Sequence, residues 1–418
     1  MCTSRLNVHC MYNLSVKFDF ELFSVDSLYY SATHNHKMNT SSSSTLLLLC
    51  YYLLKKQRNK RKRLYMTRST LVDPFESPWR FHLQNGNDMT FTNAVGFTRE
   101  VFFQLGEEIS KIIQIDETKA KRNAYDILGL TLQHLVNCNQ HKDLQQIFGR
   151  CPASISDDLY IGLDALLDVC RSDPRCAIEW PTPTKMEECS TLIYNKWGVK
   201  NCFGFMDGVY WPMYAPTTVE DQQQFYNGWK GDYTVTNVLV FLPDGTICHA
   251  NFNQPGSLHD STLAQPAYRN LLDLSKTPAK FRLLADSAFN ACGNKILKPF
   301  KQGQRLSKNS GARKRQLLRN AIVIQARQAA EWGMRALQSV FRRLSHKLKF
   351  DKTYNKHLIE LVLRLYNLRT RTMDRNQIKT VYKSVLEVVQ EDINNGDYEL
   401  DVDYLHQQVD VDIEQKYN

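Results

Sequence analysis

The sequence predicts a mixed α/β protein, in which a mixed sheet is flanked by helices and preceded by an all-helical N-terminal region. Three observations support this class. Apolar residues recur at helical spacing from Thr98, alternate with a period of two in the stretch that follows residue 196, and return to helical spacing beyond Leu317. Strands followed by helices, with acids at the strand ends, are typical of a sheet covered by helices.

The chain has 418 residues, 43% of them hydrophobic, and can therefore bury a large core. Its formal charge of +10 conceals opposed charge blocks, which indicate a polyanionic partner. We expect four regions. They are a disordered leader with a basic segment (1–70), a helical, helix-turn-helix-like domain (71–195), a sheet-bearing domain (196–385) and an acidic C-terminal tail (386–418).

Neither the cysteines nor the apolar runs indicate a secreted or membrane protein. Eleven cysteines occur without a CxxC pair, which favours a reducing compartment and gives no zinc-knuckle motif. The apolar run Thr45–Leu54 is about half the length that a membrane-spanning helix needs. We therefore expect no membrane association, and we interpret the run as a short helix or part of the leader.

The leader ends in a strongly basic block. Seven of the nine residues in Lys55–Arg63 are Lys or Arg. Such a block is typical of a nuclear-import signal or of an arm that binds phosphate. A solvated helix end is the alternative.

Helices are predicted over residues 98–113 and 124–137, and a helical pair is predicted within Asp143–Cys170. In this pair a short helix ends near Gly149, and Ser156–Asp158 is expected to cap a longer one. The spacing is that of a helix-turn-helix. The second helix carries several carboxylates, which disfavour contact with phosphates. DNA reading and an ordinary helical hairpin both remain open.

The segment 179–188 contains two prolines and is interpreted as a linker. After it, the sequence predicts a strand that ends near Pro212, a hairpin that turns at Pro243–Gly245, and a short strand from Phe281.

Two of these strands carry acids at positions suited to a metal site. Asp207 and Asp286 each follow a short apolar stretch and precede a small residue, where a strand can end and open toward solvent. Hard divalent cations prefer oxygen ligands, and two-metal phosphoryl transfer needs such ligands on separate rigid elements. We therefore expect both aspartates to bind metal.

Glu331 is the third candidate ligand. Between Lys295 and Lys349 there are fifteen Lys or Arg residues, and Glu331 is the one carboxylate. Its predicted helix has an apolar face that would hold the carboxylate toward the sheet. The residues expected on that face are Ile324, Ala330, Leu337, Phe341 and Leu344. The alternative is an intrahelical ion pair with Arg327 or Arg335, four residues away on either side.

Six ordered motifs carry a resemblance to a known family. They are GFMDGVYWPMYAP, YNGWKGDYTVTNVLV, PGSLHDS, LLADSAF, AAEWGMRALQSVFRRL and LRTRTMDRNQI. Together they resemble the PIF/Harbinger superfamily of transposases and the nucleases derived from them, over roughly residues 81–382. The chain departs from the family pattern beside the acids, for example at Val209 and Trp332, but keeps each acid.

The resemblance implies an RNase-H-like core with a DDE triad, which carries over to Asp207, Asp286 and Glu331 as catalytic, metal-binding residues. It implies two Mg²⁺ or Mn²⁺ ions, cleavage of DNA phosphodiester bonds and joining of the freed 3′-hydroxyl to target DNA. It also implies a separate Myb-like DNA-binding partner and a nuclear location. The acidic tail is either a docking surface for that partner or a solvating segment.

Further residues are candidates for supporting roles. Asp260 competes for a metal-binding role, although the PGS and DS segments favour a turn and a helix cap, and His259 is placed beside it to orient water or phosphate. Eight basic residues between the second and third acids are expected to hold the DNA backbone, unless this stretch is simply a solvated loop. They are Lys298, Lys301, Arg305, Lys308, Arg313, Lys314, Arg315 and Arg319.

Two other functions fit the same residues. A domesticated DNA-binding or scaffold protein would keep the fold without cleaving, although the presence of all three acids argues against it. A stand-alone nuclease would cut without joining. The sequence leaves open which of these applies, and whether the chain forms a homodimer.

Overall fold

The structure is a computed structural model that describes residues 49–56, 68–115, 121–290, 292–301, 305–373 and 375–382. The predictions for residues 1–48, for most of the basic block and for the acidic tail lie outside these residues. The chain divides into two compact units, Met1–Met66 and Thr67–Asn418. In the first unit, residues 49–56 form a helix. No helix in the described ranges has the length and apolarity needed to cross a bilayer.

The second unit begins with helices, as predicted. Thr98 caps the third helix and Asn123 forms a capping box with Asp126 at the fourth. The helices are α1 (Pro78–Asn85), α2 (Asp88–Val95), α3 (Arg99–Ile112), α4 (Ala124–Asn137), α5 (His141–Phe148), α6 (Pro152–Ser172) and α7 (Pro183–Trp197).

The helix pair α5–α6 has the predicted short connection, since Gly149 ends α5 in the left-handed conformation and α6 begins at Pro152. The predicted cap at Ser156–Asp158 is wrong because these residues lie inside α6. Asp158 is buried between Arg122 and Arg150, at 3.1 and 3.2 Å, so its charge does not face solvent. DNA reading by this pair stays a prediction.

The linker predicted over residues 179–188 is also corrected. Thr182 caps α7, which begins at Pro183, and the indole nitrogen of Trp180 donates a hydrogen bond to the Thr277 hydroxyl. The segment is therefore packed against the sheet-bearing part of the molecule. Pro183 is the first residue of this helix, a position where proline is well tolerated.

A six-stranded mixed sheet follows and confirms the predicted fold class. Its strands run in the order β4–β3–β1–β5–β6, with the short β2 also paired to β3. β1 is antiparallel to β3 and parallel to β5. The bounds are β1 Cys202–Pro212, β2 Tyr226–Asn227, β3 Asp232–Phe241, β4 Ile247–Pro255, β5 Arg282–Ala285 and β6 Ile296–Leu297.

The predicted hairpin is present. β3 and β4 turn at residues 242–246, where Gly245 has a φ of +84°, a conformation that favours glycine. Short helices fill the remaining connections, namely α8 (Val219–Phe225), α9 (Asp260–Leu263) and α10 (Gln265–Leu272).

Three helices end the described chain and pack on the sheet. They are α11 (Ser310–Val340), α12 (Lys352–Thr372) and α13 (Gln377–Tyr382), so the C-terminal helical region begins before the predicted Leu317 and is interrupted after Val340. α12 also binds the N-terminal region, because Glu360 lies 2.6 Å from Arg171 of α6.

The sheet has an apolar core on each face. Phe205, Val209 and Trp211 of β1 pack into a core shared with α11, α12 and the N-terminal helices. Phe203 and Met206 belong to the opposite core, with α10. From Phe205 onward, alternate residues of β1 therefore face opposite helical layers, and the irregularity between Cys202 and Gly204 places Phe203 on the side of Met206. The predicted division between residues 71–195 and 196–385 stays a prediction, since both lie in one compact unit.

Candidate active site

Asp207 and Asp286 are neighbours across the parallel pair β1–β5. The last paired residues are Met206 and Ala285, so the next position in register places Asp207 opposite Asp286. β5 ends at Ala285, whereas β1 continues to Pro212. We expected a strand end after each acid. A strand ends before Asp286, whereas β1 continues past Asp207.

Each aspartate is held by the amide that follows it. The Gly208 amide donates to Asp207 Oδ1 at 2.9 Å, and the Ser287 amide donates to Asp286 Oδ1 at 2.6 Å. Backbone hydrogen bonds of this kind orient a carboxylate and favour its charged form.

Glu331 lies on α11, and Arg327 connects it to Asp207. The Arg327 guanidinium places Nη2 2.8 Å from Glu331 Oε1 and Nη1 3.7 Å from Asp207 Oδ2. The two interpretations of Glu331 are therefore compatible, because the intrahelical ion pair is the contact that connects this helix to the first aspartate. The catalytic role of Glu331 stays a prediction.

The packing of α11 explains how Glu331 is positioned. Of the five residues expected on its apolar face, Ala330 and Leu337 are buried on α11, and Phe341 and Leu344 are buried just after the helix ends at Val340. The prediction for Ile324 is wrong, since this side chain is 40% exposed. Gly333 permits close approach to the sheet, because a Cβ there would lie 2.7 Å from the Phe241 ring.

Asp260 lies beside the aspartates but on the other face of β1. The Tyr210 hydroxyl donates to Asp260 Oδ1 at 2.8 Å, and the same carboxylate occupies the space next to Gly208. A Cβ at Gly208 would lie 2.8 to 2.9 Å from the Asp260 carboxylate atoms. Glycine after Asp207 is therefore needed for Asp260 to lie where it does.

The expected helix cap at Asp260 is wrong. His259 is the N-cap residue of α9, and Asp260 is the first residue of the helix, with its carboxylate directed to Tyr210. The expected turn is present, since the Leu258 amide donates to the Pro255 carbonyl. His259 is exposed next to Asp260.

Burial makes ionisation of these acids costly. The pKa of Asp207 is raised to about 6, chiefly by burial and also by the charges of Asp286 and Glu331, whereas the Gly208 amide and Arg327 act in the opposite direction. Burial also raises the pKa of Asp260, against the effect of its bond with Tyr210. A carboxylate with this environment is typical of a functional site.

The three carboxylates are suitable ligands for a hard divalent cation, but their side chains do not converge on one point. Asp207, Asp286 and Glu331 offer carboxylate oxygens, and their mutual repulsion would be relieved by a bound cation. Across the described residues, no three His, Cys, Asp or Glu side chains converge closely enough to hold a metal ion. Glu331 is instead turned to Arg327.

The predicted DNA-binding residues lie on both sides of the start of α11. Lys298, Lys301, Arg305 and Lys308 precede the helix, and Arg313, Lys314, Arg315 and Arg319 lie in its first three turns. Arg315 and Arg319 line a groove together with Lys200 and Arg282. Of the eight predicted DNA-binding residues, Arg315 and Arg319 thus line this groove, and the other six do not.

Comparison with protein families identifies a nuclease-type domain in this chain. Residues 206–367, less than half of the chain, match a family model described as DDE superfamily endonuclease. The match supports a DDE-type transposase family. It spans all three predicted triad residues and Asp260. No curated protein and no solved structure matches the chain.

A nuclease or transposase type of function follows from this match, with DNA as the implied substrate. DDE endonuclease domains generally use divalent metals. The fold agrees, since the sheet is mixed and flanked by helices.

Sequence reasoning missed three features of the site. Arg327 was considered as a partner of Glu331 but not of Asp207. Tyr210 carried no signal, because its partner Asp260 lies far along the chain. Lys200 and Arg282 were likewise isolated in the sequence, and only the fold brings them to Arg315 and Arg319.

Proposed function

We propose that this protein is a divalent-metal-dependent DNA endonuclease that acts as a transposase of the PIF/Harbinger type. One observation carries this proposal. Within the residues that match the endonuclease family, Asp207 and Asp286 follow the last residues that β1 and β5 pair with each other, and Arg327 links Glu331 to Asp207.

Asp207, Asp286 and Glu331 are the residues that would hold two Mg²⁺ or Mn²⁺ ions. Bound there, the metals would activate water for attack on a phosphodiester and stabilise the leaving 3′-oxygen. β1, β5 and α11 provide rigid supports for the three carboxylates. Arg327 orients Glu331, and Tyr210 keeps Asp260 beside Gly208, where its carboxylate adds to the negative charge of the site.

The basic residues at the start of α11 are proposed to bind DNA phosphates without sequence preference. Arg313, Lys314, Arg315 and Arg319 are exposed, and they lie on the helix that carries Glu331. A helix rises 1.5 Å per residue, so Arg319 and Glu331 are roughly 18 Å apart along the axis. A duplex that contacts the first turns of α11 can therefore extend toward the acids.

Partners and location remain proposals. The basic block Lys55–Arg63 supports nuclear import, and the resemblance to Harbinger transposases supports a separate Myb-like protein for DNA recognition. A homodimer is compatible with this function but no contact of the described residues argues for one.

A strand-transfer assay separates the proposed function from its two rivals. The protein is incubated with Mg²⁺ or Mn²⁺, supercoiled plasmid, and labelled duplex DNA with a free 3′-hydroxyl, with and without a Myb-like partner. A transposase nicks the plasmid and covalently joins the labelled strand to it. Nicking without joining identifies a stand-alone nuclease. Binding without nicking, under all of these conditions, identifies a domesticated DNA-binding protein and contradicts the proposed enzyme.

A further inference from the structure

A basic groove lies at the end of the sheet opposite the acids. It has a volume of about 340 Å³ and is bordered by Lys200, Arg282, Arg315 and Arg319. Arg282 is the first residue of β5, whereas Asp286 follows the last one, so the groove and the candidate active site lie at opposite ends of this strand.

The four cations of the groove have no acidic counterpart nearby. None of the described residues that line the groove is Asp or Glu, and none of the four cations forms an ion pair with an acid in the described ranges. Arg315 and Arg319 are four residues apart on α11 and therefore share one face of the helix. Uncompensated positive charge on three separate elements favours an anionic occupant.

The walls between these cations are apolar. Trp197, Leu297 and Ile322 line the groove, and Leu318 is 62% exposed there. A DNA backbone would pair with the cations but would leave these apolar side chains in contact with water. An occupant with both acidic and apolar side chains fits better, because it removes the apolar surface from solvent as well.

The C-terminal segment of this chain has that composition. Residues 383–418 contain ten acidic residues and two lysines. In the stretch DYELDVDY, Asp397–Tyr404, every second residue is acidic and every intervening one is apolar, and VDVDIE, Val409–Glu414, repeats the alternation. A period of two puts the acids on one side of an extended segment and the apolar residues on the other.

The described chain ends beside the groove. Tyr382, the last residue of α13, accepts a hydrogen bond of 2.9 Å from the indole nitrogen of Trp197, which is itself part of the groove wall. Fourteen residues separate Tyr382 from Asp397, and an extended chain of this length reaches about 45 Å. Because this short connection tethers the acidic segment to the groove, the effective concentration of the segment at the groove is on the order of millimolar.

We propose that the acidic segment Asp397–Glu414 docks in the groove formed by Lys200, Arg282, Arg315 and Arg319 of its own chain, and thereby competes with DNA for α11. The docking goes beyond the proposed nuclease function and does not depend on it. Its consequence is autoinhibition, because DNA must displace the segment before it reaches Arg315 and Arg319.

The test uses four full-length variants and a fluorescent peptide that corresponds to residues 396–414. The charge variant combines D397N, E399Q, D401N and D403N. The apolar variant combines L400S and V402S, and so keeps the tail charge. The groove variant adds R315Q and R319Q to the charge variant. Its matched control adds R313Q and K314Q to the same charge variant, and so removes two charges from α11 outside the groove.

Peptide binding is measured by anisotropy without DNA or metal. We expect the charge variant to bind the peptide at least tenfold more tightly than the parent chain, whose own tail occupies the groove. R315Q with R319Q should weaken this binding about tenfold, whereas R313Q with K314Q should change it less than twofold. Thermal unfolding of each variant checks that it folds.

Duplex DNA affinity provides the second readout. The apolar variant keeps every tail charge, so we expect it to bind DNA severalfold more tightly than the parent chain only if the tail docks through its apolar side chains. Three results would each overturn the docking. The apolar variant could bind DNA with the affinity of the parent chain. The R315Q/R319Q and R313Q/K314Q variants could bind the peptide equally, or the parent chain and the charge variant could do so. A parent dimer that the charge variant converts to monomers would assign the tail to a second copy and overturn the intramolecular contact.

Discussion

Arg327 lies 3.7 Å from Asp207, although one residue is on α11 and the other on β1. The same guanidinium forms a 2.8 Å ion pair with Glu331, one helical turn later. A single arginine thus fixes the helix acid relative to the strand acid.

Replacing Arg327 by Gln should lower the maximal rate of plasmid nicking by about tenfold, because Glu331 loses the partner that orients it, and partners of ligands typically contribute 10- to 100-fold. It should also lower the Mn²⁺ concentration needed for half-maximal nicking, because a positive charge beside Asp207 is removed. Metal titrations of the nicking rate measure both effects.

Arg335 provides the matched control for Arg327. It lies four residues after Glu331, is exposed and forms no ion pair with an acid in the described ranges. R335Q should leave both quantities within twofold of the parent values, and R327K should recover most of the lost rate. Similar behaviour of R327Q and R335Q would show that Arg327 does not position Glu331.

The pair Tyr210–Asp260 should be coupled energetically. Y210F removes a hydroxyl that donates to a partly buried carboxylate, which costs about 1.5 to 3 kcal/mol for a hydrogen bond to a charged group. D260A removes the acceptor of this bond, so the double variant should cost less than the sum of the two single variants. Urea unfolding of the four proteins gives the coupling free energy. Y214F, at an exposed tyrosine, serves as the control, and additive costs would contradict the pairing.

Asp158 should stabilise the fold of the helical region and should not contact DNA. Removing one partner of a buried ion pair costs about 3 to 5 kcal/mol, and D158N leaves Arg122 and Arg150 without their carboxylate. Burial raises the pKa of Asp158 to about 6, so at pH 8, where the carboxylate is ionised and the measurement is made, its desolvation offsets part of this cost. D157N, at the exposed neighbour, should change stability by less than about 0.5 kcal/mol. Equal stabilities of the two variants would refute this assignment.

Asp207 should make metal-free stability depend on pH. Its folded pKa, about 6, lies above the unfolded value of 3.8, so the folded state binds the proton more tightly and loses stability as pH rises between these values. At one pKa unit per 1.36 kcal/mol, the loss is up to about 3 kcal/mol. In EDTA, D207N should therefore be more stable than the parent at pH 8, and the difference should disappear below the unfolded pKa of 3.8. Parallel stability curves for the two proteins would contradict the raised pKa.

Much of the fold could be predicted because it depends on local patterns. The helix over Ala124–Asn137 and the hairpin at Gly245 follow from apolar spacing and turn chemistry within a few residues. The start of α6 was misplaced because Asp157 and Asp158 have the composition of a cap, whereas Pro152 begins the helix and Asp158 is needed inside for an ion pair.

The site was predicted less completely, for a different reason. Acids at strand ends can be recognised from one strand at a time, which is why Asp207 and Asp286 could be proposed together. The contacts of Tyr210 with Asp260 and of Arg327 with Asp207 join elements far apart in the chain. Spacing within a single sequence does not encode such contacts, and neither does it bring Arg282 to Arg319.

The most direct test of the triad compares nicking of supercoiled plasmid by the parent chain and by D207N, D286N and E331Q in Mg²⁺ or Mn²⁺, with DNA binding measured in parallel. We predict that the parent nicks DNA, and that each variant loses nicking by at least a hundredfold while binding DNA as the parent does. A variant that still nicks at the parent rate would remove that acid from the triad, and a parent that binds DNA but never nicks it, even with a Myb-like partner, would contradict the proposed enzyme.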